Sequence, residues 1–116
     1  MLSKAHRLTS GQAFGAAVRS GRRSGSRTLV AHLLVTDGEG PPLVGFVVSK
    51  AVGNAVTRNR VKRRLRHLAR ERIASLPGSA VLVVRALPAS AQATYRELSG
   101  DLDRCLERVR AGGGQS

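Results

Sequence analysis

The segment KAVGNAVTRNRVKRRLRHLARER, residues 50–72, decides how this chain is read. Nine of its residues are cationic: Lys50, Arg58, Arg60, Lys62, Arg63, Arg64, Arg66, Arg70 and Arg72. Glu71 is the single acid among them, so these 23 residues carry +8 of the chain's formal +13. The arginines are not a structureless tail, because Val61, Leu65, Leu68, Ile73 and Leu76, with Ala69 between, recur at steps of 4, 3, 5 and 3. That spacing predicts a helix with one buried stripe. Asn54 or Thr57 can cap its start, and Pro77-Gly78 stops it. Over residues 57–76 the helix would be about 30 Å long. Like charges three and four residues apart destabilise a helix, so such a density implies a polyanion that offsets the repulsion.

Working outward, residues 28–36 (TLVAHLLVT) form a near-continuous apolar strand, and DGEGPP at 37–42 is a turn. Residues 43–49 (LVGFVVS) make a second strand, expected to pair with the first as a hairpin. Residues 80–85 (AVLVVR) are a third strand, and 88–93 a loop. A last amphipathic helix covers 94–110, with Leu98, Leu102, Cys105, Leu106 and Val109 on its apolar side. Near the start, Ser10 can cap a helix over 11–20 that carries Phe14, Ala17 and Val18 on one face and ends at Gly21. Residues 1–9 read as an irregular arm, 19–27 as a Gly/Ser/Arg loop and 111–116 as a disordered tail. The expectation is one domain over 1–116, an α+β sandwich of one sheet and packed helices.

The chain is 41% apolar, close to ordinary globular usage, but Phe14, Phe46 and Tyr95 are its entire aromatic set. The core must therefore be aliphatic. Cys105 is alone, which excludes a disulfide within the chain and suits a buried packing thiol. No apolar signal segment or 18-residue apolar run is present, so a cytoplasmic protein is expected. The strong positive charge points to nucleic acid or an anionic membrane. Arginine outnumbers lysine 17 to 3. Its planar fork suits phosphate, although a GC-rich genome would produce the same bias.

Seven acids in all leave little room for a metal-dependent protein nuclease, which needs clustered carboxylates. Asp103 and Glu107 could share a helix face, but Arg104, Arg108 and Arg110 beside them suggest surface ion pairs. His6, His32 and His67 have no partner at the level of sequence. His67 on the basic helix faces solvent or RNA. His32, mid-strand, reads either as a satisfied half-buried histidine or as a stacking or phosphate contact. What remains is binding. Arg58, Asn59 and Arg60 open the basic helix, where free N–H groups and positive potential attract phosphate. Gly53 allows close backbone approach. The Asn59 amide, neutral among cations, suits a sugar hydroxyl or a base edge better than a phosphate.

Residues 44–70 closely resemble the bacterial ribonuclease P protein family. The carrying residues are Val48-Ser49-Lys50, then Gly53-Asn54-Ala55-Val56, Arg58-Asn59-Arg60, Lys62-Arg63 and Arg66. Weaker similarity covers about residues 5–110. It includes Arg7-Leu8 with Phe14 and Gly21, Arg27-Thr28-Leu29-Val30, Val83-Val84-Arg85, and Tyr95 with Leu98. The resemblance implies an α+β two-layer sandwich with a four-stranded sheet, akin to the second domain of ribosomal protein S5. It also implies a left-handed crossover, against the usual preference, and a short strand hidden near residues 22–26. It implies a ribonucleoprotein subunit that helps remove the 5′ leader from precursor transfer RNA, with the chemistry carried by RNA and no catalytic residue in the protein.

By the same resemblance, Lys50, Asn54, Arg58, Asn59, Arg60, Lys62, Arg63, Arg64, Arg66 and Arg70 would contact the catalytic RNA. Phe14, Val18, Arg22, Arg27, His32, Phe46, Ser49 and Arg85 would line a cleft for the single-stranded leader. Magnesium would be the cofactor, held chiefly by the RNA, and no protein partner would be required. Val18 and His32 stand where the family often has aromatics. Base stacking is worth about 1–3 kcal/mol, so leader binding here would lean on charge from Arg22, Arg23 and Arg27. Three other readings compete: a general ribosomal or chaperone-like RNA binder, a membrane-surface protein with a basic amphipathic helix, and a protein nuclease. The RNR sequence with its VSK lead-in favours the family reading, and the missing Trp and Phe on the stripe disfavour the membrane.

Overall fold

A computed structural model describes residues 7–8, 11–36, 40–76 and 78–111. In chain order the elements are α1 (Gly11–Ser20), β1 (Arg22–Gly25), β2 (Leu29–Val35), β3 (Leu43–Val47), α2 (Ala55–Arg72), β4 (Ala80–Ala86) and α3 (Tyr95–Arg110). Short 3-10 turns at Ile73–Ser75 and Pro88–Ala91 follow α2 and β4. The sheet order is β1-β2-β4-β3. β4 runs antiparallel to β2 and parallel to β3.

The expected β2–β3 hairpin does not form: β4 lies between the two strands. β4 has the better claim to a central place, because Ala80, Val81, Leu82, Val83 and Val84 are all buried. A parallel β3–β4 pair needs a long crossover, and α2 supplies it. β1, the short strand implied by the family resemblance, is present, with Arg22 opposite Leu33 and Arg23 opposite His32. At the other edge, the Leu8 N–H donates to the Val44 carbonyl at 2.9 Å and Arg7 bridges Val44 in parallel. Arg7 and Leu8 of the expected irregular arm are therefore docked on β3. The rest of that arm, the Ser10 cap and residues 112–116 lie outside the described residues.

Alternation along the strands separates two cores. Leu29, Ala31, Leu33, Val44, Leu82 and Val84 face α2 and α3, meeting Val61, Leu65, Leu68, Leu98, Leu102, Cys105 and Val109. The opposite face is smaller. Val81 and Val83 meet Ala17 and Leu8 there, with Ala13, Phe14, Leu34, Leu43 and Val47 packed around them. α1 covers only part of this face.

α2 starts at the Asn54 cap, whose side-chain oxygen accepts from the Thr57 N–H at 2.9 Å. It ends at Arg72, four residues before the expected end. The five-residue step from Leu68 to Ile73 puts a charged residue where the apolar stripe should continue, and the chain tightens into the 3-10 turn. Leu76 still reaches the core at 8% exposure. α3 begins with a complete capping box between Thr94 and Glu97.

Candidate nucleic-acid interface

The cations of α2 divide into two groups. Arg60 Nη2 donates to the Ala91 carbonyl at 2.8 Å, and Arg64 Nη1 donates to the Ala93 carbonyl at 3.1 Å. Both bonds clamp the segment before α3 onto α2. Arg72 grips Asp103 through Nε at 2.6 Å and Nη2 at 3.2 Å, and also donates to the Leu68 carbonyl and the Ser99 hydroxyl. The Arg72 hydrogen bond holds the Asp103 carboxyl below the usual carboxylate range, and the same bond raises the Arg72 guanidinium. Part of the repulsion in this helix is thus relieved inside the protein.

The other group is open. Asn59, Lys62, Arg63, Arg66 and His67 line a groove of about 440 Å³. No hydrogen bond or ion pair ties the side chains of Asn59, Lys62, Arg63, Arg66 or Arg70 to another described residue. Positions 59, 62, 63, 66, 67 and 70 share one helical face by the three- and four-residue rule. Lys50 and Ser49 are exposed in the turn before the helix, where Val52 N–H reaches Ser49 O and Gly53 N–H reaches Lys50 O. Gly53 sits at φ +156°, which favours glycine. Asn54 and Arg58 have local duties. The first caps the helix, and Arg58 Nε donates to the Gly53 carbonyl at 3.1 Å.

Lys62 and Arg66 also belong to a second hollow, of about 160 Å³, at the β3 edge. Its other walls are Arg7, Leu8, Phe14, Val44, Gly45 and Phe46. The Phe14 ring lies so close to β3 that a Cβ on Gly45 would stand 2.3 Å from its Cζ. Glycine at position 45 is what lets that ring seat there. Val18, one turn after Phe14, is 37% exposed.

The expected cleft residues fall on two faces. Arg85 shares the α1 side of the sheet with His32 and with Arg23, which pairs opposite His32. His32 is not open to a ligand: it is 4% exposed, and its Nδ1 has no partner among the described residues. Burial first, then the charges of Arg23 and Arg85, push its imidazole below the ordinary histidine value. Arg22 and Arg27 point the other way, since Arg22 Nη1 donates to the Val109 carbonyl and Arg27 pairs with Glu97, both on α3. The period of two explains this: Arg22 and Arg23 must face opposite sides, and the cleft-side member is Arg23. Phe46 alternates toward α2 and reaches the hollow from that side. Arg7 is absent from the sequence expectation, Arg23 enters it only beside Arg22 and Arg27 as charge for the leader, and His67 is left between solvent and RNA. Helical spacing from Asn59 and Arg63 could have found His67; the other two needed strand register.

Fold and site together describe a small α+β protein with one open cationic helix face and a hollow beside it, features that suit a nucleic-acid-binding protein. The Ribonuclease P family model matches residues 2–110. The ribonuclease P protein component of a Nocardioides species is 66% identical, covering 96% of this chain and 97% of that protein. That of Streptomyces griseus is 50% identical, covering 97% and 98%. The Staphylococcus aureus RNase P protein structure aligns at TM-score 0.79 with 25% identity, covering 90% of this chain and 94% of that one. A Thermotoga maritima RNase P protein aligns at TM-score 0.78 with 20% identity, covering 89% and 99%, and supports the fold. The chain belongs to the bacterial ribonuclease P protein family. Its members are the protein subunit of the ribonucleoprotein endonuclease that processes the 5′ end of transfer RNA.

Proposed function

We propose that the open side of α2 binds the catalytic RNA of ribonuclease P, while the hollow at the β3 edge and the adjoining α1 side of the sheet receive the 5′ leader of precursor transfer RNA. The supporting observation is the division of α2: Lys62, Arg63 and Arg66 stand unpaired with Asn59 along one groove, and Lys62 and Arg66 continue into the hollow that holds Phe14. Unpaired guanidinium groups on a rigid helix bind phosphate without first breaking protein contacts. The leader contacts are Phe14, Phe46 and Val18 for apolar surface, with Arg7, Arg23 and Arg85 for phosphate. Ser49 and Lys50 extend the surface past the end of β3.

Magnesium acts in this reading as an ion of the RNA. Among the described residues no group of three His, Cys, Asp or Glu side chains could hold a metal, and Asp101 and Asp103 are committed to Thr28, Arg104 and Arg72. The described residues do not fit a protein-borne magnesium site. The protein's contribution is electrostatic: its cations substitute for part of the ion atmosphere that two RNAs need in order to approach. It therefore raises substrate affinity and lowers the magnesium requirement, with no protein side chain in the chemical step and no second protein needed. The place of action is the cytoplasm, where transfer RNA is matured; no helix of the described residues is long and apolar enough to cross a membrane.

The test is reconstitution at low magnesium with a bacterial ribonuclease P RNA and a precursor transfer RNA. Correct 5′ cleavage that requires RNA and protein together is the expected result. Tight RNA binding without stimulation would leave only a general RNA binder.

A further inference from the structure

We propose that His67 and Tyr95 form a platform on which one unstacked nucleobase of the α2-bound RNA lies, at the end of the cationic groove away from Asn59. The inference rests on the reading that the open side of α2 carries the catalytic RNA. It names what kind of RNA that side accepts: an irregular segment with a base free to leave its stack, not a continuous duplex.

His67 is a wall of the groove lined by Asn59, Lys62, Arg63 and Arg66. Its ring lies against Tyr95, with centroids 6.0 Å apart and the planes tilted by 56°. At that tilt the rings do not stack on each other, so ring faces remain for a third planar group. Tyr95 is one of three aromatics in the chain, and it is 38% exposed. From Asn59 to His67 the helix rises about 12 Å, so the groove passes from an amide, through three cations, to this aromatic pair.

At the Tyr95 side of the platform the charge favours a base over a phosphate, while the unpaired Arg63, Arg66 and Arg70 share the His67 face. Glu71, one helical turn beyond His67, is the single acid of α2 and lies close enough to Tyr95 to act on its phenol. Arg72 stays beside it at 3.5 Å but is already committed to Asp103. A phosphate would meet the Glu71 carboxylate there, whereas a neutral base would meet two ring faces.

The platform is also held in place. Thr94 caps α3 and reciprocates with Glu97, which fixes Tyr95 at the first helical position. Arg60 and Arg64 tie the carbonyls of Ala91 and Ala93, just upstream, to α2. The arginines that turn away from the RNA thereby set the position of the ring that would meet it. A platform fixed before binding loses little entropy on contact.

The chain has one tyrosine and no tryptophan, so its tyrosine emission reports Tyr95 alone. The experiment titrates the full-length protein with a bacterial ribonuclease P RNA, and in parallel with a perfectly paired RNA duplex. Binding is measured for wild type, Tyr95→Ala, Tyr95→Phe and Arg63→Ala. Stacking predicts quenching by the ribonuclease P RNA and little by the duplex. Tyr95→Ala should bind the ribonuclease P RNA about tenfold more weakly, with an unchanged log–log salt slope and unchanged duplex affinity, and Tyr95→Phe should retain wild-type affinity. Emission that stays constant through saturation, or wild-type affinity in Tyr95→Ala, overturns the platform. If Arg63→Ala also leaves binding and its salt slope unchanged, the underlying assignment of α2 fails with it. A weakened Arg63→Ala with a silent Tyr95 overturns the platform alone.

Discussion

Arg63 and Arg64 are neighbours in sequence and opposites in structure. Arg63 stands in the open groove with Lys62 and Arg66, whereas Arg64 donates to the Ala93 carbonyl and fixes the approach to α3. The same contrast runs along the whole helix, with Arg60, Arg64 and Arg72 bound inward and Lys62, Arg63, Arg66 and Arg70 left outward. A cation-rich helix is therefore not one uniform electrostatic surface. Some of its charges complete the fold, and the others stay free for the proposed RNA contact.

The inward side should reveal itself in stability. Arg72→Ala removes two bonds to Asp103 together with those to Ser99 and Leu68, and should cost about 2–3 kcal/mol in denaturant unfolding with the RNA salt slope intact. A loss under about 0.5 kcal/mol would place Arg72 among the solvated charges. The pair also makes stability depend on acid. Because Asp103 titrates below its unfolded value, its contribution is complete above about pH 4 and disappears as pH falls through the folded value. Arg72→Ala should flatten that part of the stability–pH curve.

Arg64→Ala is expected to cost about 1 kcal/mol through its single carbonyl bond, again without a change in salt slope. On the outward side, Asn59→Ala should weaken RNA binding several-fold with little change in slope, since its amide is assigned a sugar or base edge. A slope change as large as an arginine's would put Asn59 on a phosphate. The smallest effect belongs to the far face of the sheet. His32 is held neutral by burial between Arg23 and Arg85, with a folded value below about 6.5. The unfolded chain takes up its proton first, so stability should decline as pH falls below about 6.5. His32→Gln should remove that part of the decline in thermal melts between pH 7 and pH 5.

The division of α2 was only half legible in the sequence. The stripe of Val61, Leu65 and Leu68 marked the buried side, and helical spacing alone groups Asn59, Lys62, Arg63 and Arg66. Nothing in the sequence says that carbonyls of Ala91 and Ala93 wait opposite Arg60 and Arg64, because that contact joins residues about 30 apart through the packing of α3. The sheet failed in a similar way. Both β2 and β3 are apolar runs flanking a turn, a pattern that fits a hairpin as well as two strands separated by a third. Only the long-range placement of β4 decides between them. The error over Arg22 has the same origin, since strand period separates Arg22 from Arg23 but register alone says which of them faces His32.

The central claim is the separation of two neighbouring arginines by role, and paired salt titrations of catalytic-RNA binding by Arg63→Ala and Arg64→Ala test it most directly. Arg63→Ala should lower the log–log slope by about 0.7–0.9, the loss of one phosphate contact, while Arg64→Ala keeps the wild-type slope. Equal slope losses in the two variants, or a loss confined to Arg64→Ala, would contradict the account.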